Sequence, residues 1–182
     1  MKITESLDVL DFWFNEIDPK SWWIKDAEFD RSIADRFGAV HAQAVRCELY
    51  AWRASAQGRL AEVIVLDQFS RNLYRDSPLA FANDPVALTL AQEAVGLGVD
   101  ADLTAVQRSF LYLPYMHSES LRIHEIAVDL YTRNGIASNL DFEYRHKAII
   151  ERFGRYPHRN HALGRESTQE ELRFLQSAES SF

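Results

Sequence analysis

One cysteine, seven glycines and five prolines in 182 residues exclude several architectures at once. Cys47 has no partner for an intramolecular disulfide and no companions for a cysteine-rich zinc site. Hairpin signals are almost missing. The one Asn-Gly pair, Asn134-Gly135, follows a helical pattern and reads as a helix C-terminus. No apolar run approaches the roughly 18 residues of a membrane span. The segment from Met1 to Ser6 lacks the apolar core of a signal peptide. These absences predict a cytoplasmic chain with no membrane partner. Gly-x-Gly-x-x-Gly, Walker and Gly-x-Ser-x-Gly motifs are absent, so the usual nucleotide-binding and serine-hydrolase readings fall away and no cofactor is implied. Basic residues are outnumbered, 20 Lys and Arg against 27 Asp and Glu for a net −7, which argues against nucleic acid as a partner.

What is present is helical periodicity. The chain is 47% hydrophobic and 12% aromatic, enough for one sizeable core. Leu7, Leu10, Trp13, Phe14 and Ile17 form one stripe at helical spacing, and Phe29, Ile33, Phe37, Val40, Ala44 and Cys47 form another. Asp84-Pro85 reads as a cap with proline at the first helical position, opening a helix that runs towards Gly98. Asp102 reads as the cap of a helix through Val106, Phe110 and Leu113, weakened near Pro114. Further helices are predicted over about 118–133 and 139–156, and a last one from a capping box at Ser167 or Thr168. The segment from Leu60 to Leu66 is apolar nearly all round, as a central buried element would be, and reads as helix because no partner strand exists. The prediction is all-α: a single domain of stacked antiparallel helices across residues 1–182.

Charge is unevenly spread. Residues 1–35 carry nine acidic and four basic side chains, whereas residues 145–165 carry six basic and one acidic. Guanidinium forks suit carboxylate and phosphate, so the second segment could form an anion site; equally, its arginines could pair with the acidic N-terminal third.

Polar residues on apolar meridians give the sharpest signal. On the helix near 118–133, His124 falls inside the apolar arc, and His117 would share its meridian if the helix began that early. On the next helix His146 lies on the face of Phe142, Ile149 and Phe153, beside Arg145 and Arg152. Asp67 continues the meridian of Leu60 and Val63, with Arg71 four residues on, within ion-pair reach. Buried charge is costly unless paired, so a shared internal cluster is predicted. Asp67, Gln68, Arg71, Asn72, His117, Glu119, His124, His146 and Arg152 are its members. Such a cluster serves either ligand chemistry, since histidine titrates near neutrality, or helix packing alone. Glu143-x-x-His146 has the spacing of a helical metal-ligand pair, but no second copy exists, and His117 and His124 stand about 10.5 Å apart by helical rise. No metal site is expected.

Several blocks together resemble a known family. Val9-Leu-Asp-Phe-Trp-Phe14, Leu66-Asp-Gln-Phe-Ser-Arg-Asn72, Leu113-Pro-Tyr-Met-His-Ser-Glu119 and Arg152-Phe-Gly-Arg-Tyr-Pro-His-Arg-Asn160 resemble the bacterial domain-of-unknown-function family 924. Trp23-x-x-Asp26-x-x-Phe29-Asp30, Phe81-Ala-x-Asp84 and Leu163-Gly-Arg-x-Ser-Thr168 look like its intervening blocks. The resemblance implies a tetratricopeptide-like helical array and brings no activity. Ser70 stands where the family pattern has proline, and Tyr156 where it has phenylalanine. The 34-residue tetratricopeptide consensus is missing.

Two functional readings follow. In the first, the chain binds or transforms a small anionic molecule: Arg71, Arg152, Arg155 and Arg159, with Gln68, Asn72, His146, His158 and Asn160, hold the ligand, and His117 or His124 acts as acid or base, oriented by Asp67 or Glu119. In the second, the buried network is structural and the helices dock a peptide or protein, for which Trp22, Trp23 and Tyr74 are the candidate contacts. A homodimer through an aromatic face fits either.

Overall fold

The computed structural model describes residues 5–177. Among them no strand occurs, and the predicted all-α class holds. Helix α1 (Ser6–Asp11) opens with a Glu5–Asp8 capping box and widens into a π-helical turn over Phe12–Glu16. A 3-10 turn at Pro19–Trp23 leads to α2 (Ala27–Val45), whose first turn is capped by Asp26. Helix α3 (Ala56–Ile64) runs without a break through a second π-helical turn, Val65–Phe69, into α4 (Ser70–Leu73). Helices α5 (Asp84–Gly96), α6 (Ala105–Met116), α7 (Leu121–Asn134) and α8 (Ala137–Phe153) follow with short connections, and α9 (Gln169–Leu175) ends the described chain. Neighbours in sequence pack in space, α5 on α6, α6 on α7 and α7 on α8. With connections this short, those pairs are antiparallel.

The α3 segment sits at the centre. Leu60, Ala61, Val63, Ile64, Val65, Leu66 and Phe69 have no accessible surface, because α1, α5 and α6 cover α3 and α2 covers the π-turn and α4. An element apolar on every side needs neighbours on every side, and each large side chain so buried contributes about 1.5–3 kcal/mol relative to exposure. A second, smaller cluster joins Ile149, Ile150, Tyr156 and Phe174, tying α9 to α8.

Local signals misplace three residues. Cys47 shares the spacing of the α2 stripe, yet α2 ends at Val45; Cys47 takes φ 57° and faces solvent. Asp102 lies in a 3-10 turn, and Thr104 with Gln107 forms the capping box of α6. Leu7 is exposed, since α1 is too short to bury a full stripe. Gly135 closes α7 with φ 79°, as expected of a glycine after Asn134.

Candidate functional site

Asp67 and Gln68 lie in the π-helical turn Val65–Phe69, and such turns re-aim side chains that a regular helix would keep in register. Asp67 is 1% exposed. One of its oxygens lies 2.8 Å from His117 Nδ1 and 3.1 Å from Arg71 Nη1, and the other accepts from Gln68 Nε2 at 2.6 Å. His117 is the closing residue of α6, where its backbone N–H donates to Leu113. Pairing thus joins the end of α6 to the central segment.

Burial works against a charged Asp67, but Arg71, His117 and Gln68 outweigh it and hold the carboxyl well below the usual carboxylate range. His117 is shifted downward, first by burial and then by the Arg71 guanidinium, against the pull of Asp67. The ionised Asp67 therefore accepts the Nδ1 proton of a neutral His117, leaving the lone pair on Nε2. This is the arrangement of an oriented general base.

Two arginines flank that pair. Arg71 donates from both Nη atoms to the two oxygens of Asp84, each at 3.0 Å, and from Nη1 to the Asp67 carbonyl at 2.7 Å. Arg159, 6% exposed, donates to Asp84 at 3.2 Å and to the His117 carbonyl at 2.9 Å. Both guanidiniums stand over the Phe81 ring, at 5.6 and 4.7 Å, and Arg159 also stands 4.7 Å from the Tyr156 ring. Burial and then the Arg71 charge lower the Arg159 pKa, and its Nε is buried without an acceptor. His158 packs its ring 5.4 Å from Tyr156 and keeps an exposed edge. Its dense surroundings, followed by Arg159 and Arg71, disfavour its charged form.

The remaining predicted residues separate into other groups. His124 and Glu143 are sealed from solvent, with His124 Nδ1 2.6 Å from Glu143 and Nε2 donating to the Ser118 carbonyl at 2.8 Å. His124 therefore spends both ring nitrogens on partners outside the Asp67 cluster. Glu119 does not orient a histidine: it is clamped by Arg165 at 2.7 and 2.9 Å and accepts from the Tyr156 backbone at 2.8 Å. His146 donates Nδ1–H to the Phe142 carbonyl at 2.8 Å and meets the Tyr156 ring at 5.8 Å. Asn72 binds Asp30, which also pairs with Arg75. Asn160 holds Arg165 and Ser167. Arg155 is bidentate to Glu171. Arg152 is not in the core face; it is 50% exposed and paired with Glu170 at 2.8 Å. It sits near the C-terminal end of α8, where the helix face turns towards α9 rather than the central helices.

Asp84 and Phe81 were not among the predicted site residues. Asp84 before Pro85 is a strong local cap signal, but Asn83 is the N-cap and Asp84 spends its carboxylate on arginines 13 and 75 residues away. The sequence clue was the Phe81-Ala-x-Asp84 block, one of the segments that carry the family resemblance. Among the described residues no three His, Cys, Asp or Glu side chains converge as a metal-ligand set.

Comparison with known proteins agrees with this architecture. No curated protein matches. A solved structure, that of the protein of unknown function ATU0120 from Agrobacterium tumefaciens, is similar with a TM-score of 0.89 and 40% identity, over 94% of this chain and 96% of that one. The model of the bacterial proteins of unknown function DUF924 matches residues 9–179. The chain belongs to the DUF924 family.

Proposed function

We infer that the chain binds a small anionic molecule at the Asp67–His117–Arg71–Arg159 cluster and uses His117 Nε2 as its proton acceptor. The observation that carries this is the Asp67–His117 pair at 2.8 Å, which fixes the histidine tautomer beside two guanidiniums. His146 and His124 show that a fixed imidazole can serve packing alone. What sets His117 apart is an ionised carboxylate on Nδ1 with two guanidiniums beside it, groups that suit carboxylate or phosphate. A thermal-shift screen against phosphates and carboxylates tests the reading. A ligand at about 100 times its dissociation constant adds about 2.7 kcal/mol of stability. The response should vanish in folded Arg71→Gln and persist in Arg152→Ala. A flat screen, or a response untouched by Arg71→Gln, would sink it.

One observation favours a second reading, a tetratricopeptide-like module that docks an apolar peptide. Trp23 is 62% exposed, and it borders a groove of about 190 Å³ with Trp22, Val106, Phe110, Leu113 and Ile136. Peptides that shift tryptophan fluorescence in the wild type but not in Trp23→Ala would support this module. The lone thiol, Cys47, suits a reducing compartment under either reading.

A further inference from the structure

The inference concerns Asp84 and rests on the anion-site reading above. We propose that Asp84 is an internal occupant of the Arg71–Arg159 cradle, a carboxylate that a tetrahedral oxyanion of the phosphate class displaces on binding.

Three features support a removable occupant. First, the fit is incomplete. Asp84 takes two bonds from Arg71 at 3.0 Å but only one from Arg159, at 3.2 Å, and Arg159 Nε is left buried with no acceptor. A planar carboxylate offers two oxygens; a tetrahedral oxyanion offers up to four, enough to serve both forks.

Second, the cradle does not depend on Asp84 for its shape. Phe81 lies under both guanidiniums and Tyr156 under Arg159. Arg71 is also anchored on the Asp67 carbonyl and Arg159 on the His117 carbonyl. With Asp84 gone, Arg71 would keep its pair with Asp67 while Arg159 would lose its carboxylate partner, leaving a net positive charge for an incoming anion.

Third, Asp84 has somewhere to go. It is the first residue of the thirteen-residue α5 and retains solvent contact. A carboxylate released there stays next to the positive end of the helix dipole, which stabilises it. Asp84 keeps that setting and gains solvent on release, and the oxyanion's own bonds to the two arginines replace those it gives up.

The experiment titrates the full chain with inorganic phosphate, following the side-chain carboxyl carbons by NMR and the heat by calorimetry. The same titrations are run on Asp84→Asn and with acetate as the comparison anion. The Asp84 carboxyl resonance is expected to move with phosphate occupancy, while Asp67 moves less. Asp84→Asn should bind phosphate at least about tenfold tighter, because a competing like charge is removed. Acetate should gain less from the substitution. If phosphate binds and Arg71→Gln abolishes binding, yet the Asp84 resonance stays still and Asp84→Asn binds no tighter, the inference is overturned and the anion site stands. Acetate binding as tightly as phosphate would overturn the tetrahedral class. No phosphate binding in either protein overturns the inference, and no acetate binding besides overturns the anion site with it. Should Asp84→Asn fail to fold, the wild-type resonance decides alone.

Discussion

His117 Nδ1 and Asp67 Oδ1 stand 2.8 Å apart although fifty residues separate them in sequence. The contact exists because a widened helical turn carries Asp67 and His117 is the C-cap that follows Met116 at the end of α6. Arg71, His117 and Gln68 hold the Asp67 carboxyl below the usual carboxylate range and burial lowers the His117 pKa, which together favour an ionised Asp67 accepting the Nδ1 proton of a neutral His117. The ¹⁵N shifts of His117 at pH 7 should therefore show a protonated Nδ1 and a bare Nε2. Asp67→Asn should lose that tautomer preference and about 1–3 kcal/mol of stability, read by urea unfolding. A wild-type His117 with its proton on Nε2 would contradict the assignment.

Glu143 offers a contrasting pair. His124 Nε2 faces a carbonyl and donates to it, and a protonated Glu143 donating to Nδ1 completes the pair without a buried charge. Burial raises the Glu143 pKa, and its second oxygen has no partner, which a neutral carboxyl tolerates better than a carboxylate. Glu143→Gln retains a donor of the same shape and should cost less than about 1 kcal/mol. Glu143→Ala strands His124 and opens a cavity, for about 2–4 kcal/mol. Equal losses in the two variants, measured by chemical denaturation, would disprove the neutral pair.

Which features were legible follows from how local their causes are. The α2 and α7 faces follow 3.6-residue periodicity, and Asp67–Arg71 is an i,i+4 pair, so both could be read by counting. Asp84 could not. Its cap-like setting before Pro85 is a local pattern, while its partners Arg71 and Arg159 come together only when α4, α5 and the 3-10 turn Pro157–Arg159 are packed. Arg152 shows the converse error. Its wheel position pointed inward, but near the end of α8 the facing element is α9, which supplies Glu170. His124 was placed correctly on the buried arc, yet counting could not tell that Glu143 and Ser118 would enclose it.

Gly58 tests the close packing of the 3-10 turn Tyr50–Ala54 on α3. A Cβ there would meet the Trp52 carbonyl oxygen at 1.9 Å and its carbon at 2.7 Å, and these are backbone atoms that cannot swing aside. Alanine normally favours a helix over glycine by about 1 kcal/mol. Here Gly58→Ala should instead destabilise by about 3 kcal/mol or more. A thermal melt that rises or holds would show that the turn yields.

Two nearby arginines should behave oppositely. Arg152 and Glu170 form a solvent-exposed pair, so Arg152→Ala should change stability by less than about 0.5 kcal/mol. Arg159 is buried between Phe81 and Tyr156 and supports Asp84 and the His117 carbonyl. Arg159→Ala removes one side of a buried ion pair and leaves a void, for about 3 kcal/mol. Urea unfolding of both variants at one pH separates them; similar losses would refute the burial difference.

Acid should weaken the fold through its buried histidines. His41, sealed beside Ser70 Oγ at 2.8 Å, His117 and His146 all have pKa values pushed down, in each case first by burial, and His146 is pushed down to about 3. In the unfolded chain each titrates near its ordinary value of about 6.5. Between the folded and unfolded values the unfolded state holds more protons, so stability rises with pH across that window. Their contribution is complete above about pH 6.5 and is lost progressively as pH falls towards the folded values. Each histidine contributes a slope of up to about 1.4 kcal/mol per pH unit. His146 makes the cleanest test, because its Nδ1–H donates to a carbonyl of its own helix and its window is the best bounded. Urea unfolding at pH 7.5, 6 and 5 should show wild-type stability falling below pH 6.5, with His146→Phe flattening the fall between pH 6 and 5 by about 1 kcal/mol. An unchanged slope in His146→Phe would mean that the folded chain protonates His146 as readily as the unfolded one.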